Sequence, residues 1–269
     1  MDTQLDTNFL YSHVSEKERG MEQFIPEHAL GIIISGESHF YTNSGTIIMK
    51  EGTIALIRRN QLAKTLKLPA ADGRPFKVIN VLLDQESLRK YAAANNIPKQ
   101  PPYKDHFMID LTGNALLKGY FDSLLPYFDL PQLLTPSLSA LKTGEAIELL
   151  LAVHPGAAKL LFDFNEPHKI DLEAYMNRNY SYNIPLSKFA SLTGRSLATF
   201  KRDFQKVFSS TPERWLQKKR LEHAYFLISQ KHHNPVDAYH EAGFENLSHF
   251  STAFKKQYGI TPSGLRRSQ

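Results

Sequence analysis

The feature that most constrains this chain is a register of 50 residues repeated within its last hundred. Pro185 is matched by Pro235, Phe189 by Tyr239, Phe200 by Phe250, Phe204 by Phe254, Phe208 by Tyr258, and Thr211-Pro212 by Thr261-Pro262. Leu186 and Val236, and Lys206 and Lys256, keep the same offset. So many bulky residues in one register mean that a single supersecondary unit is used twice.

Each copy reads as helix, turn, helix. Proline opens a short first helix, where its missing N–H is no loss. A glycine-containing turn follows, Leu192-Thr193-Gly194-Arg195 in one copy and Glu241-Ala242-Gly243-Phe244 in the other. Ser196 or Asn246 then stands where a cap is needed. The second helix carries Leu197, Phe200, Phe204 and Phe208, or Leu247, Phe250, Phe254 and Tyr258, which form one stripe at helical period. Thr-Pro closes each copy, because the residue before proline disfavours helix. Two helix-turn-helix units are therefore expected, at about 185–208 and 235–258. A longer helix from Pro212 to Ser229 is expected between them. Its Trp215, Leu216, Leu221, Ala224, Leu227 and Ile228 would dock on both neighbours, with Lys218, Lys219 and Arg220 as a solvated face and phosphate contacts as the lesser alternative.

With the aromatic stripe turned inward, Ala198, Thr199, Arg202 and Lys206 point outward in the first copy, and Ser248, His249, Thr252 and Lys256 in the second. Lys201 and Lys255 are expected on the flanks, beside the cap residues Ser196 and Asn246. Small side chains permit close approach in a major groove, and an Arg can bond guanine in bidentate fashion. Lysine mainly reaches phosphate. Charge points the same way. From residue 168 onward there are 16 Lys and Arg against 8 Asp and Glu, a balance of +8. The preceding residues hold 16 against 19, a balance of −3, within a net charge of +5. Basic charge concentrated on one domain is the footprint of a polyanion such as double-stranded DNA.

The front half has a different texture. Segments 29–35, 38–42, 45–50, 53–58 and 76–84 are rich in Ile, Val, Phe and Thr and are separated by turn signals such as Asn43-Ser44-Gly45 and Asp72-Gly73-Arg74-Pro75. Closely spaced strands suggest a barrel or sandwich. Helices are expected at about 86–95, 114–128 and 137–153. In the third, Leu138, Leu141, Glu145, Leu149 and Val153 lie near one side, as a dimer seam or as core packing. Asn165-Glu166-Pro167-His168 reads as the linker. The fold class expected is thus α+β: a β-barrel or sandwich with helices over 1–164, and an all-α domain with two helix-turn-helix units over 168–269.

The residues of the back half resemble the DNA-binding domain of the AraC/XylS family of bacterial transcription regulators. The resemblance is carried by Leu186-Ser187-Lys188-Phe189-Ala190, by Ser196 to Phe204, by Arg220-Leu221-Glu222-His223-Ala224, and most of all by Ala242-Gly243-Phe244-Glu245-Asn246-Leu247-Ser248-His249-Phe250, Phe254-Lys255-Lys256 and Gly259-Ile260-Thr261-Pro262. It implies two recognition helices entering successive major grooves on one face of DNA, and an activator working with RNA polymerase in the cytoplasm. The position of Thr252 is commonly Arg in that family, which points to weaker base reading by the second unit. The front is similar, more loosely and over about 25–160, to the cupin-like sensor domain of these regulators. The segment Glu51 to Arg59 is closest in kind to the ExsA-like, type III secretion subgroup. That resemblance implies effector sensing, self-association into a homodimer, or control by a regulatory protein.

An enzyme is not expected. Metal-binding cupins need clustered His and Glu ligands, whereas His28 and His39 lack the HxH pairing and read as ordinary histidines. The Arg58-Arg59 pair reads as a solvated strand end, with anion binding as the lesser alternative. There is no glycine-rich phosphate loop or G-x-S-x-G elbow, and no cofactor is expected. The chain has no cysteine, which rules out disulfides and thiolate metal sites. Its apolar runs are far shorter than a bilayer span, and its acidic start lacks the features of a secretory signal.

Overall fold

The computed structural model describes residues 2–6, 8–20, 23–98, 100–103, 106–165 and 169–267. The chain divides into two units, Met1–Asn165 and Glu166–Gln269. Of the four residues expected to link them, Glu166, Pro167 and His168 lie outside the described residues.

The first unit contains strands β1 (Asp2–Asp6), β2 (Phe9–Val14), β3 (Glu18–Arg19), β4 (Phe24–Ile25), β5 (His28–Ser35), β6 (Glu37–Thr42), β7 (Gly45–Lys50), β8 (Ile54–Ile57), β9 (Gln61–Leu62), β10 (Lys64–Leu68), β11 (Phe76–Leu83) and β12 (Met108–Asp110). Its helices are α1 (Gln85–Ala94), α2 (Ala115–Asp129), α3 (Pro136–Val153) and α4 (Ala157–Leu161). Among the described residues, one sheet has the order β1-β2-β11-β5-β8-β12, a second has β3-β10-β6-β7, and β4 pairs with β9. All of the pairings are antiparallel.

The period of two along each strand gives the large sheet two apolar faces. Leu30, Ile32, Ile54, Leu56, Ile79 and Val81 belong to one buried cluster with Leu117, Phe121, Ile147 and Leu150 of α2 and α3. Ala29, Ile33, Ala55, Ile57, Phe76 and Val78 belong to another, with Met49 and Phe40 of the second sheet. The unit is therefore a β-sandwich whose outer face is covered by helices. Asp84, Asn114 and Thr135 cap α1, α2 and α3 by accepting from the amides of Ser87, Leu117 and Leu138.

The expected strands and helices of this unit all occur, with no end displaced by more than one residue. Strands β2 and β10 went unread. In β2 the buried positions are Phe9 on the helix side and Ser12 and Val14 on the other, so a buried polar residue interrupts the apolar pattern. Ser12 Oγ there accepts from Lys67 Nζ of β10 at 2.7 Å. The α3 stripe also divides. Leu138, Leu149 and Val153 pack against the core, Leu141 is 68 % exposed, and Glu145 ion-pairs with Lys142 at 2.9 Å.

Arg58 and Arg59 are not a solvated strand end. Both are partly buried; Arg58 Nη1 donates to the Tyr103 carbonyl and Arg59 Nη2 to the Asp163 carbonyl, each at 2.8 Å. The Asp163 carboxylate in turn accepts from the Tyr103 and Asn165 amides. The pair thus ties the end of the unit to the sandwich by satisfying backbone carbonyls. His28 is buried beside them, and its Nδ1 accepts from the Arg59 amide at 3.2 Å. Burial, and then the two arginines, push its pKa down to about 3.

Candidate nucleic-acid interface

The second unit contains helices α5 (Leu172–Asn179), α6 (Leu186–Leu192), α7 (Leu197–Phe208), α8 (Pro212–Ser229), α9 (Pro235–Ala242), α10 (Leu247–Tyr258) and α11 (Pro262–Arg267). The repeated sequence becomes repeated structure: α6 and α7 form one helix-turn-helix, and α9 and α10 the other. Phe200, Phe204, Phe250 and Phe254 are all 0 % exposed. Removing one such ring costs about 3–5 kcal/mol in a typical core. Leu197 and Leu247, expected in the same stripe, are 42 % and 40 % exposed. They are the first residue of each helix, ahead of the turn that packs.

Local chemistry sets where each outward helix begins. Ser196 Oγ accepts from the Thr199 amide at 3.3 Å, and Asn246 Oδ1 from the His249 amide at 2.9 Å. In the first turn Thr193 is buried and its hydroxyl donates to the Phe189 and Ala190 carbonyls. Arg195 donates to the Ile170 and Thr193 carbonyls and to Asp203 on α7. Asp203 also binds Lys169 at 3.0 Å, and these two cations, Lys169 first, hold its carboxyl below the usual range. The inner side of α7 is thereby fixed in rotation, so its outer side is defined.

Helix α8 is shared by both units. Trp215 packs against Phe204 and Phe208, with ring centroids 5.6 and 4.6 Å away. Leu221, Ala224, Leu227 and Ile228 are buried with Phe250 and Phe254. Arg220 departs from the solvated face expected of it. Its Nε donates to the Tyr180 carbonyl and its Nη2 to the Tyr182 carbonyl, both at 2.8 Å, and its Nη1 to Asn183 Oδ1 at 3.1 Å. Burial pushes its pKa down to about 10, against the attraction of Glu245. The loop it holds is gripped from the other side too. Gly243 sits at φ +95°, where a Cβ would lie 2.4 Å from the Ser181 carbonyl oxygen. Only glycine allows the turn of the second unit to close on the loop that leads into the first.

The outward residues lie as follows. Ser196, Ala198, Lys201, Arg202 and Lys206 are exposed, and Thr199 is half-buried. Asn246, Ser248, His249, Thr252, Lys255 and Lys256 are exposed. Lys201 is drawn to Glu213 of α8 at 3.4 Å. Gln205 was missed by the sequence reading. At about 100° per residue it falls between Ala198 and Lys201, on the flank of the outer face away from Lys206, and it is exposed. Its 50-offset equivalent is Lys255, which lies on the same flank of α10, as expected. The helical angle alone would have found Gln205.

Two polar, basic helix faces presented by a duplicated helix-turn-helix, in a chain that also carries a β-sandwich, define a DNA-binding regulator with a separate regulatory domain. Comparison with known proteins agrees. Residues 28–162 match the family described as the ExsA N-terminal regulatory domain, and residues 189–268 match a helix-turn-helix domain family. The virulence regulon transcriptional activator VirF of Yersinia enterocolitica is 33 % identical over 261 residues, covering 90 % of this chain and 91 % of that protein. The HTH-type transcriptional regulator ExsA of Pseudomonas aeruginosa is 24 % identical over 252 residues, covering 90 % and 87 %. The solved structure of fatty-acid-bound ToxT from Vibrio cholerae covers 97 % of this chain and 95 % of its own, at 11 % identity and a TM-score of 0.41. This chain belongs to the AraC/XylS family of DNA-binding transcription regulators, in its ExsA-like subgroup.

Among the described residues no cluster of three His, Asp or Glu is placed to hold a metal, and no helix is long and apolar enough to cross a membrane.

Proposed function

We propose that the chain activates transcription from the bacterial cytoplasm, acting with RNA polymerase and without catalysis. In this reading α7 and α10 enter successive major grooves of double-stranded DNA. Arg202 reads a base edge, with Ala198 and Thr199 allowing close approach. Lys201, Lys206, Lys255 and Lys256 reach phosphate, Ser248, His249 and Thr252 make short polar contacts, and the caps Ser196 and Asn246 lie nearest the backbone. The single observation behind the reading is the pair of outward faces, built on the same turn, cap and buried aromatic stripe 50 residues apart. Activation is inferred from the relatives named as activators.

The experiment is footprinting of the full chain followed by a salt titration. Two protected segments one helical turn apart, about 10–10.5 base pairs between centres, are expected. The log–log salt slope should be several units. A single protected segment, or a slope near zero, contradicts the reading.

The sandwich unit is proposed to carry the regulatory input, by a small-molecule effector, a protein partner or self-association. A crevice of about 230 Å³ between β5, the Glu51-Gly52 turn and α2, lined by Ile32, Ile34, Phe121 and Leu125, offers an apolar effector a place. Saturation of the crevice by a ligand would raise the melting temperature of the full chain.

A further inference from the structure

Between the two helix-turn-helix units lies a cleft of about 530 Å³, floored by Ile184, Leu186, Leu216 and Phe244. One wall carries Asn246 and His249, which begin the outer face of α10. The opposite wall is the face of α8 that bears Glu213, Arg214 and Gln217. Glu213 is the residue that ion-pairs with Lys201 on α7. The cleft therefore opens beside both DNA-facing helices.

The cations of α8 differ in what they already hold. Lys218 and Lys219 approach Glu222 at 4.0 and 3.5 Å, and Arg220 is spent on the 180–183 loop. Arg214 is exposed, and among the described residues no carboxylate pairs with it. Gln217, one turn further on, is exposed on the same side of the helix. Of the acidic residues lining the cleft, Glu213 approaches Lys201 at 3.4 Å, and Glu245 attracts Arg220.

We propose that Arg214, assisted by Gln217, forms a third DNA contact, holding backbone phosphate in the stretch between the two major-groove segments. This rests on the reading that α7 and α10 bind successive major grooves. If they do, the DNA face spanning the gap is a minor groove bordered by phosphates, and the rim of this cleft is what meets it. A guanidinium matches phosphate geometry with two parallel donors, and glutamine adds a neutral one. Phosphate contacts fix register without reading sequence. The third contact would thus set the spacing at which the two helices accept a site.

The test uses the full chain on its footprinted duplex, with phosphate-ethylation interference and a salt titration. Arg214→Ala should weaken binding about tenfold on every sequence and lower the salt slope by about 0.9. Ethylation between the two protected segments should hinder wild type but not the variant. Base preference within each segment should stay unchanged, and Arg214→Lys should recover most of the slope. An unchanged slope and interference pattern, with wild type still protecting both segments, overturns this proposal and leaves the two-helix reading standing. Normal DNA binding by Arg214→Ala with lost transcription would assign the face to a protein, and overturns it equally. Failure of wild type to protect two segments would remove the parent reading itself.

Discussion

Arg220→Met is the most informative perturbation of the DNA-binding unit. Methionine keeps much of the apolar stem and removes all of the donors. Three acceptors lose a charged partner: the Tyr180 and Tyr182 carbonyls and Asn183 Oδ1. Hydrogen bonds to charged groups contribute about 1.5–3 kcal/mol each, so the gross loss is about 4–9 kcal/mol. Part of this is returned, because the charge no longer has to be buried. The depression of the guanidinium to about 10 corresponds to about 3 kcal/mol at about 1.4 kcal/mol per tenfold change. The net destabilisation expected is about 2–5 kcal/mol, confined to the unit from residue 169 onward. Urea denaturation of the full chain, with amide exchange read separately for each unit, measures it. The amides of residues 180–184 should lose protection first, since that loop is held by Arg220. A loss below about 0.5 kcal/mol, or exchange that rises equally in both units, would refute the idea that this arginine ties the two helix-turn-helix units together.

Other outcomes follow from the same geometry. Gly243→Ala places a Cβ against the Ser181 carbonyl in a left-handed backbone; a cost of at least 1–2 kcal/mol, from the backbone conformation alone, and reduced tolerance for correctly spaced sites are expected in thermal melts and band-shift assays. Arg202→Ala should flatten base preference in one half-site by about 1–3 kcal/mol, whereas Lys206→Ala should weaken all sequences alike; selection from a random DNA library separates the two, and an unchanged consensus for Arg202→Ala contradicts the assignment. His28 is held neutral in the folded state, with its pKa lowered from 6.5 to about 3. The unfolded chain then binds the extra proton first, so the stability of the sandwich unit is full above pH 6.5 and falls as pH drops toward 3, by up to about 1.4 kcal/mol per pH unit. His28→Gln should flatten that dependence in denaturation curves taken between pH 4 and 7.

How much was legible in advance follows from the range of the interactions concerned. The duplicated unit was readable because its determinants are local. A proline at the start of a helix, Ser196 and Asn246 as caps, and aromatic residues three and four apart act within a few residues of themselves. The outer faces followed from helical angle alone, which also puts Gln205 on the flank beside Lys201. The strands of the sandwich with continuous Ile and Val were readable for the same reason.

What sequence left open depended on partners far along the chain. Strand β2 is a strand because β11, more than sixty residues on, supplies its ladder, and its buried Ser12 is satisfied by Lys67. The α3 stripe has one periodicity whether it faces a core or a second copy, and only the packing of the large sheet decided that Leu138, Leu149 and Val153 turn inward. Arg58, Arg59 and Arg220 look like surface charge in a sequence, because a guanidinium carries no mark of the carbonyls it will meet. Tertiary structure brought Tyr103, Asp163, Tyr180 and Tyr182 to them. The sequence by itself determined that there are two helix-turn-helix units and which sides of them face outward. Tertiary structure alone decided how the shared helix and a buried arginine lock those units into one body, since that depends on long-range closure rather than on local propensity.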